Sequence, residues 1–156
     1  MLTDFLERAV LPFSDGGCAL EFGCGPGPVL GDLLRGRGFT VDLYDPFFYP
    51  AEDYLDCSYD LVTSTEVFEH LSRPREVLCR LCRVIRPGGT LAIMTHLHPG
   101  RRRFADWWYH RDPTHVTFYS RETLNWICKQ WPLTLLYTDS FKLATFRREE
   151  ADGSRS

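Results

Sequence analysis

Residues 20–28 read Leu-Glu-Phe-Gly-Cys-Gly-Pro-Gly-Pro, so that an apolar strand, Cys18 to Phe22, runs into three glycines at alternate positions and then into a helix. This junction commits the chain to a strand-turn-helix unit. Glycine is needed where the backbone turns sharply with positive φ and where a ligand lies against bare main chain. The helix opening behind the turn offers free amide hydrogens to a polar group. Pro28, just inside the expected helix start, has no amide hydrogen to leave unpaired there. The unit reads as a nucleotide-type ligand site. A glycine triplet alone recurs by chance in loops, so the neighbouring segments decide.

The spacing argues against a dinucleotide fingerprint, in which the third glycine follows the second by three places. Here it follows by two, at Gly27, and Pro28 stands where the dehydrogenase glycine would be. Eighteen residues past Gly27 a second apolar run, Phe39-Thr-Val-Asp-Leu-Tyr, ends in Asp45, a carboxylate placed to accept both hydroxyls of a ribose. This pair of features resembles the class I S-adenosylmethionine-dependent methyltransferases. Tyr59-Asp-Leu-Val-Thr-Ser-Thr-Glu-Val-Phe-Glu-His-Leu and Arg83-Val-Ile-Arg-Pro-Gly-Gly-Thr-Leu are similar to that family's fourth-strand and fifth-strand segments. The resemblance implies S-adenosyl-L-methionine as cofactor and a small-molecule methyl acceptor as partner. It also implies cofactor contacts from Gly23, Cys24, Gly25 and Gly27, with Asp45 at the ribose and Pro46 beside it. Glu21 is implied at the loop or at the ligand's amino group, and Thr65 and Glu66 along the cofactor. A catalytically silent cofactor-binding or partner subunit with the same fold is the alternative reading. An NAD-dependent oxidoreductase fails on the glycine spacing and on the lack of room for a substrate domain.

The chain has 156 residues and 44% apolar content, enough for one core. Its 18 basic against 21 acidic side chains give a formal charge of −3, which offers no electrostatic grip on nucleic acid. The run Arg101-Arg-Arg103 reads as a solvated patch. Residues 1–8 carry acids within the apolar stretch and lack a cleavage pattern, and no uninterrupted apolar run reaches spanning length. A cytoplasmic protein without membrane contact is expected. Among six cysteines only Cys79 and Cys82 have metal-ligand spacing, and no second pair completes a site. Both are expected to pack against the sheet as small apolar residues, and no metal is expected.

The pattern predicts helices over 2–12, 27–36, 74–86 and 121–130, strands over 18–23, 40–45, 60–65 and 90–95, and a final antiparallel pair over 133–137 and 141–147. This is an α/β, Rossmann-like, doubly wound and mainly parallel sheet with a C-terminal antiparallel hairpin strand. Residues 1–148 form a single domain, and 149–156 form a polar tail expected to be disordered. Only thirteen residues separate Asp45 from Tyr59, where the family fits a helix and its third strand. That unit is read as shortened or absent. The consequence is a second strand at the sheet edge, with Val41, Leu43 and Tyr44 on it, and a homodimer or partner contact near residues 40–58. The adenine wall is then expected from Phe47, Phe48 and Tyr49, with Asp56 a candidate for the adenine amino group.

Residues 97–120 form a long excursion rich in aromatic, His and Arg residues after the fifth-strand segment, and they are expected to close over the cofactor. Trp107, Trp108, Tyr109 and Tyr119 either box an acceptor or cover the open end of a small core. His115 is the candidate catalytic base, since imidazole titrates near neutral pH. The alternative is that it braces the excursion by bonding a main-chain carbonyl. Glu69 and His70 match a Glu-His pair seen in many relatives, with a structural role for the imidazole preferred.

Overall fold

Apolar runs broken by glycine and proline do produce strands alternating with helices. The computed structural model describes residues 1–150 and contains strands β1 (Gly17–Phe22), β2 (Phe39–Tyr44), β3 (Tyr59–Thr65), β4 (Ile85–Met94), β5 (Leu133–Thr138) and β6 (Leu143–Arg148). They form one sheet in the order β2-β1-β3-β4-β6-β5. The first four strands run parallel, and β6 lies antiparallel between β4 and β5. The helices are α1 (Leu2–Phe5), continued by a π-helical turn over Leu6–Val10, then α2 (Val29–Arg35), α3 (Pro74–Val84) and α4 (Arg121–Gln130).

Successive strand residues point to opposite faces, and both faces of the central strands are covered. Leu20, Val62 and Leu91 pack with Leu78 and Leu81 of α3 and with Leu124 and Ile127 of α4. Ala19, Leu61 and Ala92 pack on the other side with Phe5, Leu6, Leu30 and Leu34. Small residues on that side let the N-terminal helix approach closely, and Thr145 Oγ1 of β6 donates to the Ala9 carbonyl at 2.6 Å. Asp60 accepts the Cys18 amide at 2.8 Å and pairs with Arg86 at 2.8 Å, which joins the starts of three neighbouring strands. α4 opens on a capping box, Ser120 and Thr123 each bonding the other's main-chain amide.

Between Asp45 and Tyr59 there is only a short 3-10 turn, Asp53–Asp56, so the expected strand is absent and β2 is the sheet edge. Tyr44 stacks on Phe22 with ring centroids 5.0 Å apart and meets Tyr54 at 4.6 Å, closing the core beneath that edge.

Several expectations need correction. Pro28 caps α2 from outside, with ψ of 62°, and the first helical residue is Val29. The helix predicted to Arg86 stops at Val84, because Ile85 is already extended and paired with Tyr59. The last strand starts at Leu143 and not at 141, since Asp139 Oδ1 accepts the amides of Phe141, Lys142 and Leu143 and holds them in the turn. Cys82 is buried as expected, but Cys79 is exposed and accepts the Trp131 indole N–H at 3.4 Å. The tail does not begin free at Glu149, whose amide bonds Pro132 O at 2.9 Å and whose carboxylate accepts Thr134 Oγ1. Residues 151–156 of that expected tail lie outside the described residues.

Candidate active site

The C-terminal ends of the parallel strands open on one edge of the sheet, where ligands of open α/β sheets bind. At the end of β1 the turn takes φ of +80° at Gly23 and +65° at Gly25. The amides of Gly23 and Cys24 both donate to Tyr44 O, at 2.7 and 3.2 Å. Asp45, at the tip of β2, returns the connection: Oδ2 accepts the Gly25 amide at 3.0 Å, and Oδ1 accepts Phe47 and Phe48 amides at 2.9 and 3.2 Å. A carboxylate offers about four lone-pair sites. Three of Asp45's contacts therefore hold the two turns together, and about one site faces outward.

A cavity of about 470 Å³ lies over this junction, within the size range of small-molecule sites. Of the residues assigned to the cofactor, Gly23, Gly25, Asp45, Pro46 and Glu66 line it. Glu21, Cys24, Gly27 and Thr65 lie off its wall. Phe47 lines it, whereas Phe48 and Tyr49 do not, and Asp56 is remote from it among the described residues. The remaining aromatic lining comes from Phe22 and Tyr44.

Glu21 sits behind the glycine turn, 4% exposed, with Oε2 lacking any hydrogen-bond partner. Burial pushes its carboxyl up to about 7. Burial likewise raises the Cys24 thiol to about 11, so it is a neutral group behind the cavity wall and not a nucleophile. Glu66, the first residue beyond β3, is held at φ of +54°, a conformation costly for a side chain and concentrated at functional sites. Burial, and then the neighbouring Glu69, raise its carboxyl to about 7.

The excursion over 97–120 does not line this cavity, which corrects the expectation that it closes over the cofactor. It is stitched instead to the turn Phe68–Leu71. Val116 and Thr117 amides donate to Glu69 O, and Thr117 Oγ1 donates to Leu71 O. Tyr119 and Tyr109 are buried, Tyr119 against Phe68 and Tyr109 with its hydroxyl 2.5 Å from Glu69 Oε1. Trp107 packs on Phe104 and Phe118, and Trp108 is 62% exposed. Tyr109 and Tyr119 thus belong to the core at this sheet end, while Trp108 stands at the surface over His96, with ring centroids 5.3 Å apart. His115 does meet His70, with ring centroids 4.8 Å apart, and its Nδ1 bonds Tyr109 O at 2.8 Å. The bracing contact thus occupies one ring nitrogen, while the other, Nε2, stands 3.8 Å from the Asp112 carboxylate. Arg101, Arg102 and Arg103 are solvated, as expected.

A family model described as "Methyltransferase domain" matches residues 1–137. The chain belongs to this methyltransferase-domain family. An uncharacterized methyltransferase of Mycobacterium tuberculosis is 28% identical over 119 residues, covering 64% of this chain and 60% of the relative. The chain therefore spans 60% of that relative's length. Among solved structures, an O-methyltransferase family protein from Burkholderia thailandensis superposes with a TM-score of 0.66 at 16% identity, covering 97% of this chain and 56% of that one. Mitomycin 7-O-methyltransferase gives 0.69 at 14% identity over 94% of this chain and 53% of its own. At those identities the likeness establishes the class I fold. Within that fold β6 alone runs against the other described strands, and no strand lies between Asp45 and Tyr59.

Several residues of this methyltransferase domain's cavity were not singled out in the sequence: Phe22, Tyr44, Val77 and Arg80. Val77 and Arg80 stand about one turn apart on α3, a spacing that marks a shared helix face. Arg80 also pairs with Glu52 at 3.1 Å across the shortened segment. No helix is long and apolar enough to cross a membrane among the described residues.

Proposed function

We propose that this methyltransferase domain is an S-adenosylmethionine-dependent enzyme that methylates a small acceptor. The observation that carries this reading is the cavity where the glycine turn, the tip of β2 and Glu66 meet. Two features of the chain fit the cofactor. Glu21 keeps a buried oxygen without a donor, a vacancy suited to an ammonium group. Gly25 has nothing within 4 Å of where a side chain would begin, so its backbone can be approached closely. Glu21, Gly23, Cys24, Gly25, Gly27, Asp45, Pro46, Thr65 and Glu66 would hold the cofactor, with Phe22, Tyr44 and Phe47 as its apolar walls. When bound, S-adenosylmethionine supplies a methyl group on a positively charged sulfur, already activated for transfer. The net charge of −3 supports a small acceptor over a nucleic acid.

The chain's own work is then to orient the acceptor and take its proton. His115 Nδ1 faces a carbonyl, which only accepts, so Nδ1 carries the proton of the neutral ring and Nε2 carries the lone pair. Nε2 is the atom assigned to receive the acceptor's proton. His115→Ala should lower turnover about a hundredfold with little change in cofactor affinity, as removal of a general base does. Wild-type turnover in that variant would leave His115 as a brace only. With β2 at a free edge, a homodimer through residues 40–58 completes the proposal. Val41, expected on the exposed edge, packs in the core instead, so the test uses the exposed Phe48: sedimentation at high concentration should show a dimer that is lost in Phe48→Lys, and a strict monomer would remove it.

A further inference from the structure

Beside the cavity, one carboxylate oxygen of Glu69 and one nitrogen each of His70 and His115 all lie within 4.8 Å of one another. We propose that this trio binds a divalent transition-metal ion that would hold the acceptor's oxygen. The idea rests on the methyl-transfer reading for its purpose, but not for its test.

Three observations point to a cation. First, the His70 Nδ1 lies 3.1 Å from Thr114 O and the His115 Nδ1 2.8 Å from Tyr109 O. Each ring therefore donates from Nδ1 and leaves its Nε2 lone pair free, the arrangement in which a second contact orients a metal-binding imidazole. Second, Glu69 is fully buried, and its two oxygens accept hydroxyls of Tyr109 and Thr95, at 2.5 and 2.8 Å. Those bonds aim the carboxylate without neutralising it. Third, no Lys or Arg pairs with Glu66 or Glu69 among the described residues, while the Asp112 carboxylate stands 3.8 Å from His115 Nε2. Buried charges are normally paired or bound to metal. Here acceptors converge with no cation among them.

The donor set selects the ion. Two imidazoles and a carboxylate suit Mn²⁺, Co²⁺, Fe²⁺ or Zn²⁺ better than Mg²⁺, which prefers an all-oxygen shell. Ligand atoms about 2.1 Å from an ion lie roughly 3–3.5 Å from each other, so the trio has to tighten. His70 has the freedom to do so, its side chain being 41% exposed and tied by the single Nδ1 contact. Three protein ligands leave coordination positions for a hydroxyl-bearing acceptor, whose proton the ion makes easier to release to solvent. In the loaded protein His115 is then a ligand, and the ion takes over the acidifying role.

The test is titration of metal-stripped protein with Mn²⁺, followed by electron paramagnetic resonance and calorimetry, without cofactor. Mn²⁺ is chosen because the exposed thiols of Cys57 and Cys79 favour softer ions. One ion per chain is expected, bound more than about a hundredfold more weakly by His70→Ala and by His115→Ala, beyond the roughly 10–100-fold losses seen for outer contacts. A His98→Ala/His110→Ala double variant should bind as the wild type does, and thermal melts of the variants confirm folding. Absence of saturable Mn²⁺ binding, or binding unchanged in both single variants, would overturn the proposal. S-adenosylmethionine binding measured without metal tests the methyl-transfer reading separately.

Discussion

Replacing Gly23 by alanine should cost about 2–5 kcal/mol of stability and abolish cofactor binding. Two penalties add. A left-handed backbone conformation costs a side-chain-bearing residue about 1–2 kcal/mol, and Gly23 sits at φ of +80°. The new methyl would also collide with the Val67 side chain, and overpacking of that kind costs about 1–3 kcal/mol. Because Val67 lines the cavity, its displacement deforms the binding surface itself. The melting temperature should fall by about 4–20 °C, using the usual conversion for a domain of this size, and calorimetry should show no heat with S-adenosylmethionine. Gly25→Ala is the control: its φ of +65° carries a similar strain, but nothing lies within 4 Å of the added methyl. That variant should fold with a loss of about 1–2 kcal/mol while binding less tightly. A Gly23→Ala protein as stable and as competent as the wild type would contradict the placement of the turn.

The second large effect is a pH dependence set by Glu21. Its carboxyl titrates at about 7 in the folded chain against an ordinary value of 4.5, because burial disfavours the charged form. Below the lower value both folded and unfolded chains hold the proton. As pH rises from there to about 7, the unfolded chain releases it first, so this contribution to stability falls across the window and then levels. The total is on the order of 3 kcal/mol. Glu21→Gln should remove the slope and melt higher than the wild type at pH 8. Cofactor affinity should respond in the opposite sense. If, as proposed, the ammonium group of the cofactor meets the charged carboxylate, wild-type affinity should rise toward pH 7 and flatten above it. At pH 8 the Gln variant should bind more weakly by about 1.5–3 kcal/mol, the worth of a hydrogen bond to a charged group. Coincident pH profiles of the two proteins would show that Glu21 senses neither fold nor ligand.

The architecture was legible because its signals are local. The run Cys18–Phe22 is apolar on both faces except at Glu21, as a strand covered on both sides and ending at a site can be, and the thirteen residues after Asp45 were too few for a helix and a strand. What escaped depended on geometry that sequence does not carry. Cys79 and Cys82 are three apart, which on a helix is about 60° of rotation, enough to leave one thiol buried and the other at the rim. Asp45 showed its position but not that main-chain amides already occupy it. The Glu69-His70 pair and His115 were each singled out. That they converge required the excursion to fold back by main-chain bonds from Val116 and Thr117 to Glu69, contacts that leave no pattern in the side chains.

The position of β6 governs how the chain assembles. β6, which follows the other described strands in the chain, is an interior one, paired with β4 on one side and β5 on the other. Until residues 143–148 arrive, β4 presents an unpaired flank and β5 has no neighbour. The N-terminal helix also lacks the Thr145 hydroxyl that fastens it. Contacts of such sequence separation slow folding and leave hydrophobic surface and strand edges open to self-association meanwhile. Completion of the sheet thus depends on residues 143–148, the one strand that joins β4 to β5 and fastens the N-terminal helix.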